Sequence, residues 1–260
     1  MVAKRGRGAV GYEYVSLDGL RLDGRRPEEV RKIQCSLGEM LRADGSAHYE
    51  QGNTKILATV FGPRELTSRS RGLHDRALIN CDVSILAFAS SRADERTRTS
   101  SKGDRRSKEI SSMIERVFES AILTHMFAKS QIDISVQVLQ SDGSVASAAV
   151  NAVSLALVNA GVPMSDFVCG CNVGVLQGEF VVDMNAVESG SDGPQLSIAM
   201  MISSGKVTSF ELESRMSSVD VFEEAMACAS DGCRQVYHVL QHEIKIYTLG
   251  LIDSRGLVAL

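Results

Sequence analysis

The 260-residue chain predicts an α+β fold, an α/β two-layer packing of sheet against helices. Three observations predict it. Short apolar stretches bounded by Gly, Pro and Asn read as strands. Two longer stretches carry apolar residues on a 3.6-residue period and read as amphipathic helices. Between them stands a helix built mostly of small residues, entered from a strand through a tight turn at Ser141-Asp142-Gly143. The order is strands, helix, strand, helix, strands, helix. We divide the chain into a flexible basic arm over 1–19, a first domain over 20–164, and a second domain over 165–260 that ends in a long helix.

Taken in order, the turn Leu22-Asp23-Gly24-Arg25-Arg26-Pro27 starts the folded body, and a strand is predicted over 33–41. Segments 47–50 and 54–61, joined by Gln51-Gly52-Asn53, read as a hairpin. Its second strand, ILATVF, is apolar throughout, as a central strand covered on both faces would be; Gly62-Pro63-Arg64 ends it. A loop with Arg64, Arg69, Arg71 and Arg76 follows, then a strand over 77–88. Between Arg92 and Lys108 lie seven basic and three acidic residues and no apolar side chain larger than Ala93, a long polar connection.

Helix 106–127 presents Ile110, Met113, Ile114, Val117, Phe118, Ala121 and Ile122 as one stripe, with Asp104 placed to cap it and Arg105 and Arg106 beside the cap. Strand 132–140 leads into the small-residue helix, which Gly161-Val162-Pro163 ends. Strands over 169–176 and 179–183, a polar loop over 184–194, and a hairpin of 195–203 with 206–213 come next. A helix over 219–249 closes the series, with Phe222, Met226, Ala229, Val236, Leu240 and Ile244 on its apolar side.

Composition narrows the function. The net charge of −4 argues against a free-standing nucleic-acid binder but allows a local basic surface on a subunit of something larger. No apolar run reaches the ~18 residues that span a bilayer, and the basic N-terminus lacks the apolar core of a secretory leader, so no membrane partner is expected. The six cysteines form no CxxC pair and read as reduced core thiols, which fits a nuclear or cytosolic compartment. His238 and His242 stand four apart on the last helix but lack a third ligand nearby, so no metal is expected. The small-residue helix offers free N–H groups at its start, a geometry that holds phosphate.

Four phrases together resemble the RNase PH-like subunits of the RNA exosome: RLDGRRPEEVRKI (21–33), ADGSAHYEQGNTKILATVFGPRE (43–65), GDRRSKEIS (103–111) and LQSDGSVASAAVNAVSLALVNAGVPM (139–164). The resemblance implies an RNase PH-like fold of the ribosomal-protein-S5-domain-2 type with a C-terminal α/β extension. It further implies a hexameric ring of related subunits built from heterodimers around an RNA channel. S1/KH-domain cap subunits and a hydrolytic exoribonuclease are expected on the ring, and nucleus, nucleolus and cytoplasm as its places. Active relatives degrade RNA from the 3′ end with inorganic phosphate as the attacking group.

The same resemblance implies that this chain has lost that chemistry. Active members carry a Gly-Ser-Arg-Thr-like turn that holds the phosphate; here Ser144, Val145, Ala146 and Ser147 take its place, with Ala146 where the arginine would be. A bidentate, charge-assisted partner is lost. Active members also carry an acidic motif in the second half; Gln195 stands where its aspartate would be, and an amide neither titrates nor binds magnesium well. Asp183 matches an aspartate that is kept, with Glu188 and Asp192 in the same loop. Arg105 and Arg106 match the paired arginines that hold the RNA backbone, and Arg64, Arg69 and Arg71 match the channel neck. The expectation is a non-catalytic subunit that guides single-stranded RNA and needs no cofactor. An active phosphorolytic exoribonuclease and an unrelated small-molecule enzyme on the same fold are the alternatives.

Overall fold

The computed structural model describes residues 14–16, 19–65, 75–89, 105–191, 193–216 and 218–254. The chain forms β1 (Ile33–Leu37), β2 (Gly45–Gln51), β3 (Thr54–Glu65) and β4 (Leu78–Ile85), then helix α1 (Arg105–Ala121) and a 3-10 turn at Thr124–Phe127. Next come β5 (Ser130–Gln140), α2 (Val145–Ala160), β6 (Val168–Leu176), β7 (Glu179–Val182), β8 (Gln195–Met201), β9 (Val207–Glu213) and α3 (Val219–Ser254). The first sheet has the order β1-β2-β3-β5-β4, with β4 parallel to β5 and the other pairs antiparallel. The second sheet, β7-β6-β8-β9, is antiparallel throughout.

Helix α2 packs against β2 and β3 of one sheet and β6 and β8 of the other. That explains why it is apolar around its circumference: nearly every residue from Val145 to Leu157 is buried. Its small side chains let both sheets come close. Gly45 of β2 faces it so tightly that an added Cβ would stand 2.3 Å from the Ala156 carbonyl oxygen, and Gly170 of β6 meets the Ser147 backbone in the same way. The strand β7 is too short to pair with the first half of β6, since it reaches only Val173–Leu176. Helix α2 serves that bare backbone instead. Asn151 accepts from the Gly170 N–H at 2.7 Å and donates to its carbonyl at 3.0 Å, and Ser154 Oγ donates to the Val168 carbonyl at 2.6 Å.

Helix α3 covers the other face of the second sheet, its Gly232 opposite Cys171. The six cysteines are unpaired, with Cys169, Cys171 and Cys233 in the core. The helix continues across the first sheet, where Tyr247 Oη donates to Asn159 Oδ1 at 2.9 Å.

Several boundaries differ from the sequence expectation, each for a physical reason. β1 ends at Leu37, not 41, because Gly38 turns the chain at φ +77. In β3 Thr54, Ile56, Ala58 and Val60 are fully buried, while Leu57, Thr59 and Phe61 are half-buried, because α2 covers one face of that sheet. The same strand runs past Gly62-Pro63 to Glu65, a register shift between Phe61 and Arg64 absorbing the proline, which has no N–H to give. Helix α1 stops at Ala121 rather than 127, because Ile122 bridges to Met164 and Leu123 N–H bonds the Pro163 carbonyl. β4 ends at Ile85 and α3 extends to Ser254. The N-terminal arm before Tyr14 and the proposed Asp104 cap lie outside the described residues.

The approach of β2 to α2 makes a prediction. Gly45→Ala has backbone, not a yielding side chain, in its way, and should destabilise the protein by about 2–3 kcal/mol. Gly205→Ala, with open space around it and only its φ of +67 to oppose the change, should cost about 1 kcal/mol. Urea denaturation of both variants measures the difference.

Candidate functional site

The turn between β5 and α2 is held from several sides. Ser144 takes the left-handed conformation, φ 51, and α2 starts without a side-chain cap, leaving its first-turn N–H groups open. Neither candidate hydroxyl is free to give its proton to a ligand. Ser144 Oγ donates to the Met184 carbonyl at 3.0 Å, and Ser147 Oγ donates to the Ser144 carbonyl at 3.0 Å. In front of the turn is a cavity of about 610 Å³. Ser144, Val145 and Ala146 line it; Ser147 sits behind them, buried and off the wall.

The floor is the α2 side of the second sheet beyond the helix's first turn. Asn172 of β6 pairs with Ser197 of β8, which pairs with Glu211 of β9, so the three form one row. Gln195 and Glu213 form the next row. Gln195 is nearly buried, and its Nε2 donates to the Ser189 carbonyl at 2.8 Å. The opposite wall is the first turn of α1, with Arg105, Arg106 and Glu109. Arg105 Nε sits 2.7 Å from Glu109 Oε1 with its side chain almost fully exposed, and that carboxylate raises the guanidinium's pKa.

Asp183 belongs elsewhere. The sequence grouped it with Gln195 as part of an acid site, but it does not line the cavity. It is buried, at φ 54, and bonded by Arg31 on both carboxylate oxygens: Nη2 to Oδ1 at 2.7 Å and Nε to Oδ2 at 2.9 Å, with the Arg31 backbone N–H also on Oδ2 at 2.9 Å. Burial works to raise its pKa; the hydrogen bonds and charge of Arg31 outweigh that and hold it below the usual carboxylate range. Glu188, the other candidate substitute, is buried and paired with Arg21, and it accepts the Asn185 N–H. Asp192 lies outside the described residues. The reason a sequence match misplaces Asp183 is that a buried aspartate can be an ion-pair anchor as readily as an acid.

The arginines separate into two places. Arg105 and Arg106 reach the cavity. Arg64 does not: it pairs with Asp133 and lies 5.9 Å over the Phe61 ring. Its strand position is opposite Gln131, at the start of β5, whereas the cavity opens past Gln140 at its end, about 30 Å away at ~3.3 Å per residue. Arg69, Arg71 and most of the polar connection before α1 lie outside the described residues. His238 and His242 are exposed on α3. Among the described residues no grouping of His, Cys, Asp and Glu could hold a metal ion.

Sequence reasoning missed the acceptors in the cavity: Asn172, Glu109, Glu211 and Glu213. The alternation Ser209-Phe210-Glu211-Leu212-Glu213 does put 209, 211 and 213 on one face. Nothing local says that this face closes a cavity with α1.

Two sheets around a shared central helix, with a cavity at that helix's N-terminus, define an RNase PH-like protein of two domains. The chain belongs to the 3′ exoribonuclease family: its domain 1 matches residues 29–163 and its domain 2 residues 166–232. It is 46% identical to the exosome complex component RRP41 of Mus musculus over 231 residues, 88% of this chain and 92% of that one. It is 44% identical to the Homo sapiens RRP41 over 236 residues, 90% and 94% of the two chains. In fold it matches rice (Oryza sativa) Rrp46, with a TM-score of 0.75 at 23% identity over 85% of this chain and 98% of that one. It also matches a chain of the Archaeoglobus fulgidus exosome with RNA bound to the active site, with a TM-score of 0.71 at 21% identity over 85% and 92%.

The buried pair carries a prediction with a sign. A carboxylate whose folded pKa is depressed contributes its stability above the unfolded value, about pH 4, and loses it as pH falls through the folded one. Wild-type stability should therefore fall between about pH 5 and pH 2, and Asp183→Asn should fall less steeply there. At neutral pH that variant leaves Arg31 buried with only the Asp142 carboxylate, 4.0 Å away, as counter-charge and should lose about 3 kcal/mol. Urea midpoints across that pH range check both statements.

Proposed function

We propose that this chain is a non-catalytic ring subunit of an RNA exosome core. It scaffolds the ring and guides single-stranded RNA for 3′-to-5′ processing and degradation, including ribosomal RNA maturation and mRNA decay. The observation that carries this reading is a cavity with Arg105 and Arg106 at its rim but Ala146 and Gln195 where active relatives would carry an arginine and an aspartate. A transferring phosphate would meet no guanidinium at the turn, and both serine protons there are already committed. Losing one such pre-placed donor costs about 3 kcal/mol of transition-state stabilisation. Neither Asp183 nor Glu188 replaces the missing acid, since each is held by a buried arginine.

What remains suits a grip on any strand. Guanidiniums on phosphates hold a backbone without reading its bases. Arg64, far along the first sheet, gives a second basic point on the path of a strand. In this reading the chain pairs with another RNase PH-like subunit within a six-membered ring. S1/KH-domain subunits cap that ring, and a hydrolytic exoribonuclease receives the RNA. No cofactor and no metal are called for. The complex would work in nucleus, nucleolus and cytoplasm.

Two measurements test the reading. The chain assembled with its ring partner should release no nucleoside diphosphate from RNA when inorganic phosphate is supplied; robust phosphate-dependent release, lost on Gln195→Ala, would reverse the conclusion. Arg105→Glu combined with Arg106→Glu should leave ring assembly intact and weaken RNA protection about tenfold or more. Equal protection by the double variant would remove the guiding role.

A further inference from the structure

The two sheets end in β1, β4, β7 and β9, and these edges are guarded unequally. An open edge carries a row of unmet N–H and C=O groups, ready to pair with another chain. At β4, helix α1 closes the row: Glu115 Oε1 accepts the Cys81 N–H at 2.9 Å, and Ser111 Oγ accepts the Val83 N–H at 3.1 Å. Helix α3 lies against β1. At β7, a strand of four residues, the Pro27 carbonyl takes the Val182 N–H at 2.8 Å. β9 pairs with β8 on one side, and among the described residues its outward groups meet no partner. Five of its seven residues are exposed, so nothing in the fold covers it; Val207, Phe210 and Leu212 are among them.

A groove of about 710 Å³ runs along this edge, between β9 and α1. Arg105, Lys108 and Arg116 line its α1 side, on one face of the helix. Arg105 is paired with Glu109. Lys108 and Arg116 are exposed, and among the described residues neither has a carboxylate partner. On the strand side are Ser209, Phe210 and Glu211. Ser209 and Glu211 point toward the α1 side, while Phe210 and Leu212 alternate onto the other face of the sheet.

The chemistry of the groove selects its occupant. A nucleic acid strand could meet Lys108 and Arg116, but its backbone is rich in acceptors and would leave the outward carbonyls of β9 unmet. A polypeptide strand presents N–H and C=O in alternation and satisfies both. One set of its side chains would face Lys108 and Arg116, and the other would lie beside Phe210 and Leu212. Charge complementarity makes the first set acidic, and the exposed apolar surface makes the second apolar.

We propose that β9 accepts a further strand from a protein partner, an extended segment that alternates acidic with apolar side chains. Its carboxylates face Lys108 and Arg116, and its apolar side chains cover Phe210 and Leu212. Main-chain hydrogen bonds supply the affinity, and the two sets of side chains supply the choice of partner. Strand addition here is independent of the RNA-guiding role, to which Lys108, Arg116 and Phe210 are not assigned.

The probe is a fluorescent peptide of about nine residues, enough to span β9, with glutamate and valine in alternation. A second peptide carries lysine in place of glutamate. A third is the first N-methylated along its length, which keeps its charge and removes its donors. The full-length protein, alone and assembled with its ring partner, should bind the first peptide about tenfold or more tightly than either of the others. Lys108→Glu combined with Arg116→Glu should abolish the preference for glutamate over lysine at an unchanged melting temperature, since both side chains are exposed. Equal binding of the glutamate and lysine peptides overturns the proposal, as does a preference that survives the double variant. Binding that N-methylation leaves intact overturns it too, because charge alone would then hold the peptide. Binding to the free chain that vanishes in the assembled ring gives the edge to a ring neighbour instead. Displacement of the peptide by an equal concentration of single-stranded RNA gives the groove to nucleic acid, and either of these last two results is equally fatal.

Discussion

The buried pairing of Arg31 with Asp183 holds together the parts that the site is made of. Both are nearly inaccessible, and the pair is bidentate. Taking two charges out of water is costly, and the contact survives only because the remaining groups are met. Arg31 Nη1 also donates to the Asp142 carbonyl at 2.6 Å, so one guanidinium joins the segment before β1, the end of β7 and the turn before α2. Arg21 adds a parallel set: it pairs with Glu188 and donates to the carbonyls of Val182 and Asp183. Thr54 closes the ring of contacts, donating to the Gly143 carbonyl and accepting from the Asp142 N–H. The turn that opens α2 and the loop that forms the cavity's side are therefore fixed relative to each other by charge, not by apolar packing.

Around that anchor the helix α2 does the opposite work. It is almost wholly apolar and small, and the two sheets close on it from both sides. Two of its polar residues, Asn151 and Ser154, serve the stretch of β6 that has β8 on one edge and no strand on the other. The same closeness sets the site. Because the helix is clamped along its length, its N-terminus is held rigidly at the mouth of the cavity, and its open N–H groups keep a fixed aim. Preorganisation of this kind makes a binding site effective, since nothing must be ordered when a ligand arrives.

Much of the molecule could be read in advance, and the misses have causes. The stripe of α1 was legible because Ile110, Ile114, Val117 and Phe118 obey the helical period. Its end was not, because Ile122 and Leu123 are drawn away by Met164 and Pro163, partners forty residues on. That residue 146 is an alanine and residue 195 a glutamine is plain in the sequence; that they stand for an arginine and an aspartate is what the resemblance implies. The position of Asp183 was misread, since its partner is 152 residues distant. The resemblance matched Arg64 to a channel neck and Arg105 and Arg106 to a separate arginine pair; the length of β5 keeps the two places apart.

By itself the sequence determined the element order, the small-residue helix and the residue types, alanine and glutamine, at positions 146 and 195. Those are local properties, set by period, turn chemistry and residue type. Only the tertiary structure decided which carboxylates are locked in ion pairs, which face the cavity, and that β9 is left at a sheet edge beside a basic helix face. These depend on which distant strands lie side by side, and the energy of a buried polar group is decided by neighbours that no short stretch of chain contains.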